Sequence, residues 1–353
     1  MVDSAPLTAR ERPKVTKPRT VHEVAKLANV SIATVSRALN NPESVREELR
    51  QRVIDAARQL GYATNPAAKA LRERRSKIVA VVVPTLDDEA FSRLVGGLQS
   101  VLTANGYAAF VQVAGFDNSD IYEAVKGLFD RGAEALAIVG RIYDRKLLKL
   151  ISERQIPAVV MYSRLDDETV PSIGIDNAKA TDKLFDHLLA LGHRQFAMIA
   201  GTPKGNDRQQ IRIDAFAKRI AELSIGDPLV YTVDRRYTLQ DGAVAADEIV
   251  RLRPDITAVI CTSPIITLGV LSEFRRNGVS VPDRMAVVGF DDFTYASLVS
   301  PAVTALSVPS TEIGRLTAEA LVGKLDHGRE ILSLELAVQI QVRGSTAPPQ
   351  EQS

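Results

Sequence analysis

Thr20-Val-His-Glu-Val-Ala-Lys-Leu-Ala-Asn-Val-Ser-Ile-Ala-Thr-Val-Ser-Arg-Ala-Leu-Asn40 is the stretch from which the rest of the chain can be read. Thr20 and Glu23 have capping-box spacing, in which each side chain satisfies an orphan backbone N–H at a helix start. Val24, Ala25, Leu27 and Ala28 then form an apolar stripe, and Asn29 tolerates the left-handed backbone of a tight turn. Ser31 is placed to cap a second helix carrying Ile32, Val35 and Leu39. Ser44-Val-Arg-Glu47 repeats the capping-box spacing and opens a third helix with Val45, Leu49, Val53, Ala56 and Leu60 on one face and Gly61 as its stop. Three short helices, the first two joined by a minimal turn with small Ala25 at their closest approach, have the layout of a helix-turn-helix.

In such a module the second helix enters the major groove. Its outward residues are Ser31, Ile32, Ala33, Thr34, Ser36 and Arg37, with Asn40 at its end. Arg37 is the one long donor among them and can place two N–H groups on guanine O6 and N7, or else meet a phosphate. Ser31 and Thr34 have the chemistry of phosphate contacts. The charge distribution agrees. A formal net charge of +1 hides +8 in residues 1–77 and −7 in the remainder, so the basic segment suits a phosphate backbone and the acidic remainder does not.

The stretch 20–40 resembles, without a gap, the head of the lactose-repressor (LacI/GalR) family of regulators, and the likeness continues through Gly61-Tyr62 and Asn65 to Ala68-Lys69-Ala70-Leu71. The resemblance implies DNA contacts from Thr20, Tyr62, Ala68 and Lys69 besides the residues of the second helix. It also implies a hinge segment whose Leu71 wedges into the minor groove at the centre of the site. An apolar wedge of that kind bends the duplex and exchanges unstacking energy for contact. One departure is Thr64, where the family usually has proline, with Pro66 two positions later.

After Lys77 short apolar strands alternate with amphipathic helices, the pattern of parallel α/β sheets. The strand candidates are 78–83, 109–113, 135–139, 158–162, 196–200, 258–261 and 286–289, too many for one compact sheet beside so much helix. The expected fold is therefore an all-α helix-turn-helix headpiece followed by an α/β core of two parallel-sheet subdomains, like a periplasmic binding protein. Residues 1–19 are expected as a disordered arm, 20–62 as the DNA-binding domain, 63–77 as the hinge and 78–346 as the effector-binding and dimerisation core. A disordered tail, 347–353, follows. Within the core, 78–162 with 292–325 form one subdomain and 163–291 with 326–346 the other, with crossings near 163, 291 and 326.

Ligands in such folds bind beyond the carboxyl ends of the strands. Phe91, Asn206, Arg208, Arg212, Tyr237 and Asp291 stand there and, with Tyr162 and Asp176, match ligand-contacting positions of the family. Arginine forks and carboxylates bond hydroxyls or carboxylates, and aromatic faces pack on a ring, so the implied effector is a sugar or sugar acid. Arg212 and Asp291 can equally form a structural ion pair, and Phe91 and Tyr237 can be core. Cys261-Thr-Ser-Pro264, where most members have Asn-Asp, and Tyr162, where Asp is frequent, point to a less hydroxylated ligand or to a lost response.

No Walker loop, G-x-G-x-x-G after a strand, H-E-x-x-H or G-x-S-x-G occurs. Gly201-Thr-Pro-Lys-Gly205 reads as a plain strand-to-helix turn, and His187 and His193 as surface or helix-end residues. Neither a metal nor a cofactor is implied, and one cysteine, Cys261, excludes an internal disulfide. The charged segment 1–20 lacks the form of a secretory signal, and no apolar run would span a bilayer; cytoplasm is the expected compartment. The resulting expectation is a homodimer, held by no C-terminal coiled coil, that binds double-stranded operator DNA and a small-molecule effector. A solute-binding protein and an enzyme with an appended head are the rival readings.

Overall fold

In the computed structural model, which describes residues 19–62, 75–166, 169–233 and 237–350, the capping box at Thr20 is formed. Thr20 N donates to Glu23 Oε2 at 2.7 Å and Glu23 N donates back to Thr20 Oγ1 at 3.4 Å, opening α1 (Val21–Ala28). Asn29 takes φ 52° and turns the chain into α2 (Ile32–Asn40), capped by Ser31 Oγ accepting from Thr34 N at 3.1 Å. The third helix starts later than its capping motif suggests. Pro42 opens a 3-10 turn, Pro42–Ser44, and Ser44 Oγ donates to Asn41 O at 2.7 Å, so the hydroxyl is spent on the turn. The helix α3 runs Glu47–Leu60 and stops at left-handed Gly61. Val24, Ala28, Val35, Ala38, Val53 and Ala56 form the core of this unit, and Arg52 ties α3 to the end of α1 by donating to Ala28 O at 2.6 Å. Leu27, expected in the stripe, is 45% exposed, because the face that meets α2 and α3 is the narrower one of Val24, Ala25 and Ala28.

The chain divides at Ser76, and the second unit begins at Lys77. In order it contains β1 (Ile78–Val83), α4 (Glu89–Ala104), β2 (Ala108–Val113), α5 (Tyr122–Asp130), β3 (Ala135–Val139), α6 (Arg145–Glu153), β4 (Ala158–Ser163) and β5 (Ser172–Ile175). It continues with α7 (Asn177–Ala190), β6 (Phe196–Gly201), α8 (Asp207–Leu223), β7 (Leu229–Val233), α9 (Leu239–Leu252), β8 (Ala258–Cys261) and α10 (Pro264–Arg276). It ends with β9 (Ala286–Phe290), β10 (Thr304–Ser307), α11 (Ser310–His327), β11 (Leu334–Glu335) and β12 (Gln339–Gln341). Among the described residues two six-stranded sheets result, ordered β11-β5-β4-β3-β1-β2 and β12-β10-β9-β8-β6-β7. Every pairing is parallel except β10 with β12. The central strands β3, β4, β6, β8 and β9 are buried throughout, as sheets covered by helices on both faces require.

Strand pairing moves the crossings between subdomains away from 163, 291 and 326. Segment 172–175, expected in the second subdomain, pairs with β4 in the first sheet, and 304–307, expected in the first, pairs with β9 in the second. Residues 334–335 return to pair with β5 before 339–341 joins β10. The chain therefore leaves each sheet one strand later than its apolar runs suggest. Sequences such as Ser172-Ile-Gly-Ile175 are too short and mixed to announce a strand, and neighbouring backbones select them. The expected free tail is anchored at its start: the buried His193 ring donates to the Ala347 carbonyl at 3.0 Å and meets Thr257 Oγ1 at 2.9 Å. This histidine is accordingly interior, not surface. Among the described residues no helix is long and apolar enough to cross a membrane, and no His/Cys/Asp/Glu group could hold a metal ion.

Candidate nucleic-acid interface and effector cleft

On α2, Ser31, Ile32, Ala33 and Arg37 face outward, and Thr34 is half-buried. Ile32 is 42% exposed, which leaves a branched apolar side chain in water at the start of the helix. Arg37 Nε donates to Ala33 O at 3.3 Å, laying the side chain back along the same face. Ser31 and Thr34 also bond each other, Oγ to Oγ1 at 2.9 Å, and Thr20 is engaged in its capping box. Tyr62 packs half-buried against the head's core while its N–H closes the end of α3 on Ala57 O at 2.8 Å. Asn40 ends α2. Ala68, Lys69 and Leu71 lie outside the described residues.

In the core, seven of the eight candidate effector residues line one pocket: Phe91, Tyr162, Asn206, Arg208, Arg212, Tyr237 and Asp291. They come from α4, β4, α8 and the segments that follow β6, β7 and β9, which brings strand ends of both sheets to one cleft. Asp176 is not among them. Its carboxylate caps α7, accepting from Ala178 N at 2.9 Å and Lys179 N at 3.0 Å. The pocket also contains Thr262 and Ser263, from the segment that stands where the family has Asn-Asp, and Asp88, Phe116 and Gln209, which residue chemistry did not single out; the positions of Asp88 and Phe116 after β1 and β2 are the signal that could have found them, and Gln209 lies on α8.

Tyr162 and Asp291 sit at left-handed φ, 74° and 63°, at the ends of β4 and β9, and the Tyr162 hydroxyl donates to Asp291 Oδ1. Non-glycine residues seldom hold that conformation unless their surroundings impose it. Arg212, 3% exposed, donates from Nε to Asn177 Oδ1 at 2.9 Å and from Nη1 to Thr262 O at 3.0 Å, with its guanidinium 3.8 Å above the Phe290 ring. Arg208 pairs with Asp207 at 3.0 Å, both buried. Asp207 in turn accepts from Ser163 Oγ at 2.6 Å and Arg141 N at 3.0 Å, linking the two subdomains beside the pocket. Asn206 Nδ2 donates to the Tyr237 hydroxyl at 3.1 Å, and Tyr237 stacks on Phe116 with centroids 4.1 Å apart.

Burial dominates the electrostatics. It pushes the Asp291 carboxyl up against the opposing influence of Arg212, and it holds the Tyr162 hydroxyl well above its ordinary range together with the Asp291 charge. Asp88 is pushed up to about 7, by burial first and by Asp291 second. Tyr237 is pushed up to about 12, also by burial. Around neutrality the cleft thus offers a carboxyl able to donate or accept. Asn206 Oδ1, Arg208 Nη2, Thr262 Oγ1 and Ser263 Oγ are buried without a hydrogen-bond partner among the described residues, and such atoms are costly unless something satisfies them. Two glycines make room. A Cβ on Gly140, itself at φ 83°, would lie 1.6 Å from Arg208 Nη1, and one on Gly201 would lie 1.9 Å from the Tyr237 hydroxyl.

A helix-turn-helix head joined to a two-sheet core with a polar cleft at its strand ends defines a ligand-sensing DNA-binding regulator. Residues 20–65 match the profile of the bacterial regulatory proteins of the lacI family, and residues 185–346 match that of the periplasmic binding protein-like domain. The transcriptional regulator GntR of Pseudomonas aeruginosa is 30% identical over 330 residues, 93% of this chain and 95% of that protein. The transcriptional repressor CytR of Escherichia coli strain K12 is 29% identical over 338 residues, 93% and 96% of the two chains. The lac repressor dimer bound to operator and the anti-inducer ONPF superposes with a TM-score of 0.82 at 24% identity, covering 94% of this chain and all of that one. The chain belongs to the LacI family of bacterial transcriptional regulators, and its relatives are regulators, not enzymes.

Proposed function

We propose that this chain is a cytoplasmic repressor that binds a pseudo-palindromic operator as a homodimer and is controlled by a sugar or sugar acid held in the core cleft. The observation that carries the reading is the cleft itself: seven candidate side chains converge there from both sheets, with four buried polar atoms still to be satisfied. The effector contacts are Phe91, Tyr162, Asn206, Arg208, Arg212, Tyr237 and Asp291, while Asp176 acts through the start of α7. The DNA contacts are Thr20, Ser31, Ile32, Ala33, Thr34, Arg37, Asn40 and Tyr62, with Ala68, Lys69 and Leu71 from the hinge. A two-fold protein reads two half-sites. An effector that favours one arrangement of the subdomains changes the affinity for DNA, typically by ~1–3 kcal/mol.

Selection of bound sequences from random duplexes tests this directly. Wild type should recover a palindromic motif, and Arg37→Ala and Leu71→Ala should each lose it. Salt-sensitive binding with no recovered motif would leave only a basic adhesive head.

A further inference from the structure

Two neighbouring spaces of opposite chemistry meet in the cleft. The inner one, about 20 Å³, is bordered by Asn206, Arg208, Thr262 and Ser263, where the unpartnered polar atoms collect. That volume admits one water-sized group and no ring. The outer one, about 360 Å³, shares Asp88, Phe116 and Tyr237 with the inner one and is bordered further by the apolar Pro84, Val113 and Ile265 and the polar Thr85, Asp87 and Thr238. Its size falls at the low end of small-molecule sites. Val113 is 47% exposed at the end of β2, and the half-buried Phe116 ring is backed by Tyr237. A molecule bearing hydroxyls on every side would lose hydration against Pro84, Val113, Phe116 and Ile265 and would recover hydrogen bonds only where Thr85, Asp87 and Thr238 border the space. A flat ring would gain from it.

The inner atoms select the polar end of the ligand. Arg208 Nη2 is a donor and Asn206 Oδ1 an acceptor, while the Thr262 and Ser263 hydroxyls can be either. A hydroxyl, which accepts from one and donates to the other, satisfies both. A carboxylate would place its lone pairs against Asn206 Oδ1 and its charge near Asp88 and Asp291.

We infer that the effector is amphipathic: a flat apolar ring seated against Phe116, Val113 and Ile265, joined to a hydroxyl-bearing part that reaches Arg208 and Asn206. This rests on the reading of the cleft as the effector site and narrows the ligand from any sugar to a neutral sugar carrying an aryl group or a base. The test is calorimetric titration of the full-length protein with glucose, galactose and ribose, and with 4-nitrophenyl glucoside, 4-nitrophenyl galactoside, uridine and adenosine. A ring-bearing compound should bind about tenfold or more tightly than its parent sugar, and that advantage should vanish in Phe116→Ala. Val113→Ser, at a half-exposed position, should reduce it without endangering the fold. Whether the nitrophenyl glycosides or the nucleosides gain more tells an aryl group from a base. Equal affinity for parent and ring-bearing compound, unchanged in both variants, overturns the inference and leaves the cleft reading in place. Failure of every ring-bearing compound to bind protein that still selects an operator overturns the inference.

Discussion

Ile32 and Arg212 stand at opposite extremes. Ile32 is 42% exposed at the start of α2, in a head whose outward face is built from neighbours in sequence. Arg212 is 3% exposed and bonded to Asn177 and Thr262, residues 35 and 50 positions away in the chain. Exposed groups on a rigid helix are poised for a partner that arrives from outside, and their removal costs the fold little. A buried cation is held by several elements at once, so the same residue shapes the site and supports the domain. The head therefore separates function from stability, and the core couples them.

The largest expected effect tests that coupling. Arg212→Ala removes two buried charge-assisted hydrogen bonds, to Asn177 Oδ1 and Thr262 O, and should destabilise the core by about 3–5 kcal/mol, read as a lowered unfolding midpoint of the core in denaturant. An unchanged midpoint would mean that the core tolerates loss of its cleft charges as freely as the head tolerates loss of surface groups. A middle-sized effect concerns pH. Burial pushes the folded carboxyl of Asp88 up to about 7, above the ordinary carboxylate value of 3.8, so between those values the unfolded chain binds fewer protons and stability falls as pH rises. The groups bearing on it are Asp291, Glu89 and Arg212. Asp88→Asn, which keeps a capping side chain for α4, should flatten the fall in melting temperature between pH 5 and 7.5 and raise the value above pH 7 by a few degrees. Asp291, also raised, should leave a residual slope. A pH profile identical to wild type would place the carboxyl in ordinary solvent.

The smallest effect sharpens the head's side of the comparison. In the proposed complex α2 meets base edges, and an exposed branched residue there suits a thymine methyl. Replacing operator thymines by uracil should weaken wild type by roughly 0.8 kcal/mol at the contacted position, and Ile32→Ala should abolish the difference while leaving thermal stability untouched. Equal sensitivity of the variant would assign Ile32 to packing at the protein surface.

Legibility in the sequence followed the same divide. The capping box at Thr20, the Ser31 cap, the turn at Asn29 and the stop at Gly61 depend on hydrogen bonds within a few residues, and each is formed as the spacing implies. Ser44 failed for an equally local reason, since Pro42 gave it a competing turn. In the core, the uniformly apolar central strands were legible, whereas β5, β7, β10, β11 and β12 were not. Their residues alternate or are short, and only pairing with an existing sheet makes them strands. The cleft was half legible: residue chemistry and family pattern pointed to seven of its side chains, while Asp88 and Phe116 carry no signal of their own.

By itself the sequence determined the three-helix head, the α/β texture of the core and the family, because capping, hydrophobic period and a contiguous motif are encoded within single elements. Only the tertiary structure decided where the chain crosses between sheets and that Asp176 serves a helix end. It alone brought Asp88, Phe116 and Val113 to the mouth of the same cleft as Arg208. Those outcomes depend on which backbones hydrogen-bond across the sheets and on how deeply each charge is taken from water, and both are properties of the assembled fold.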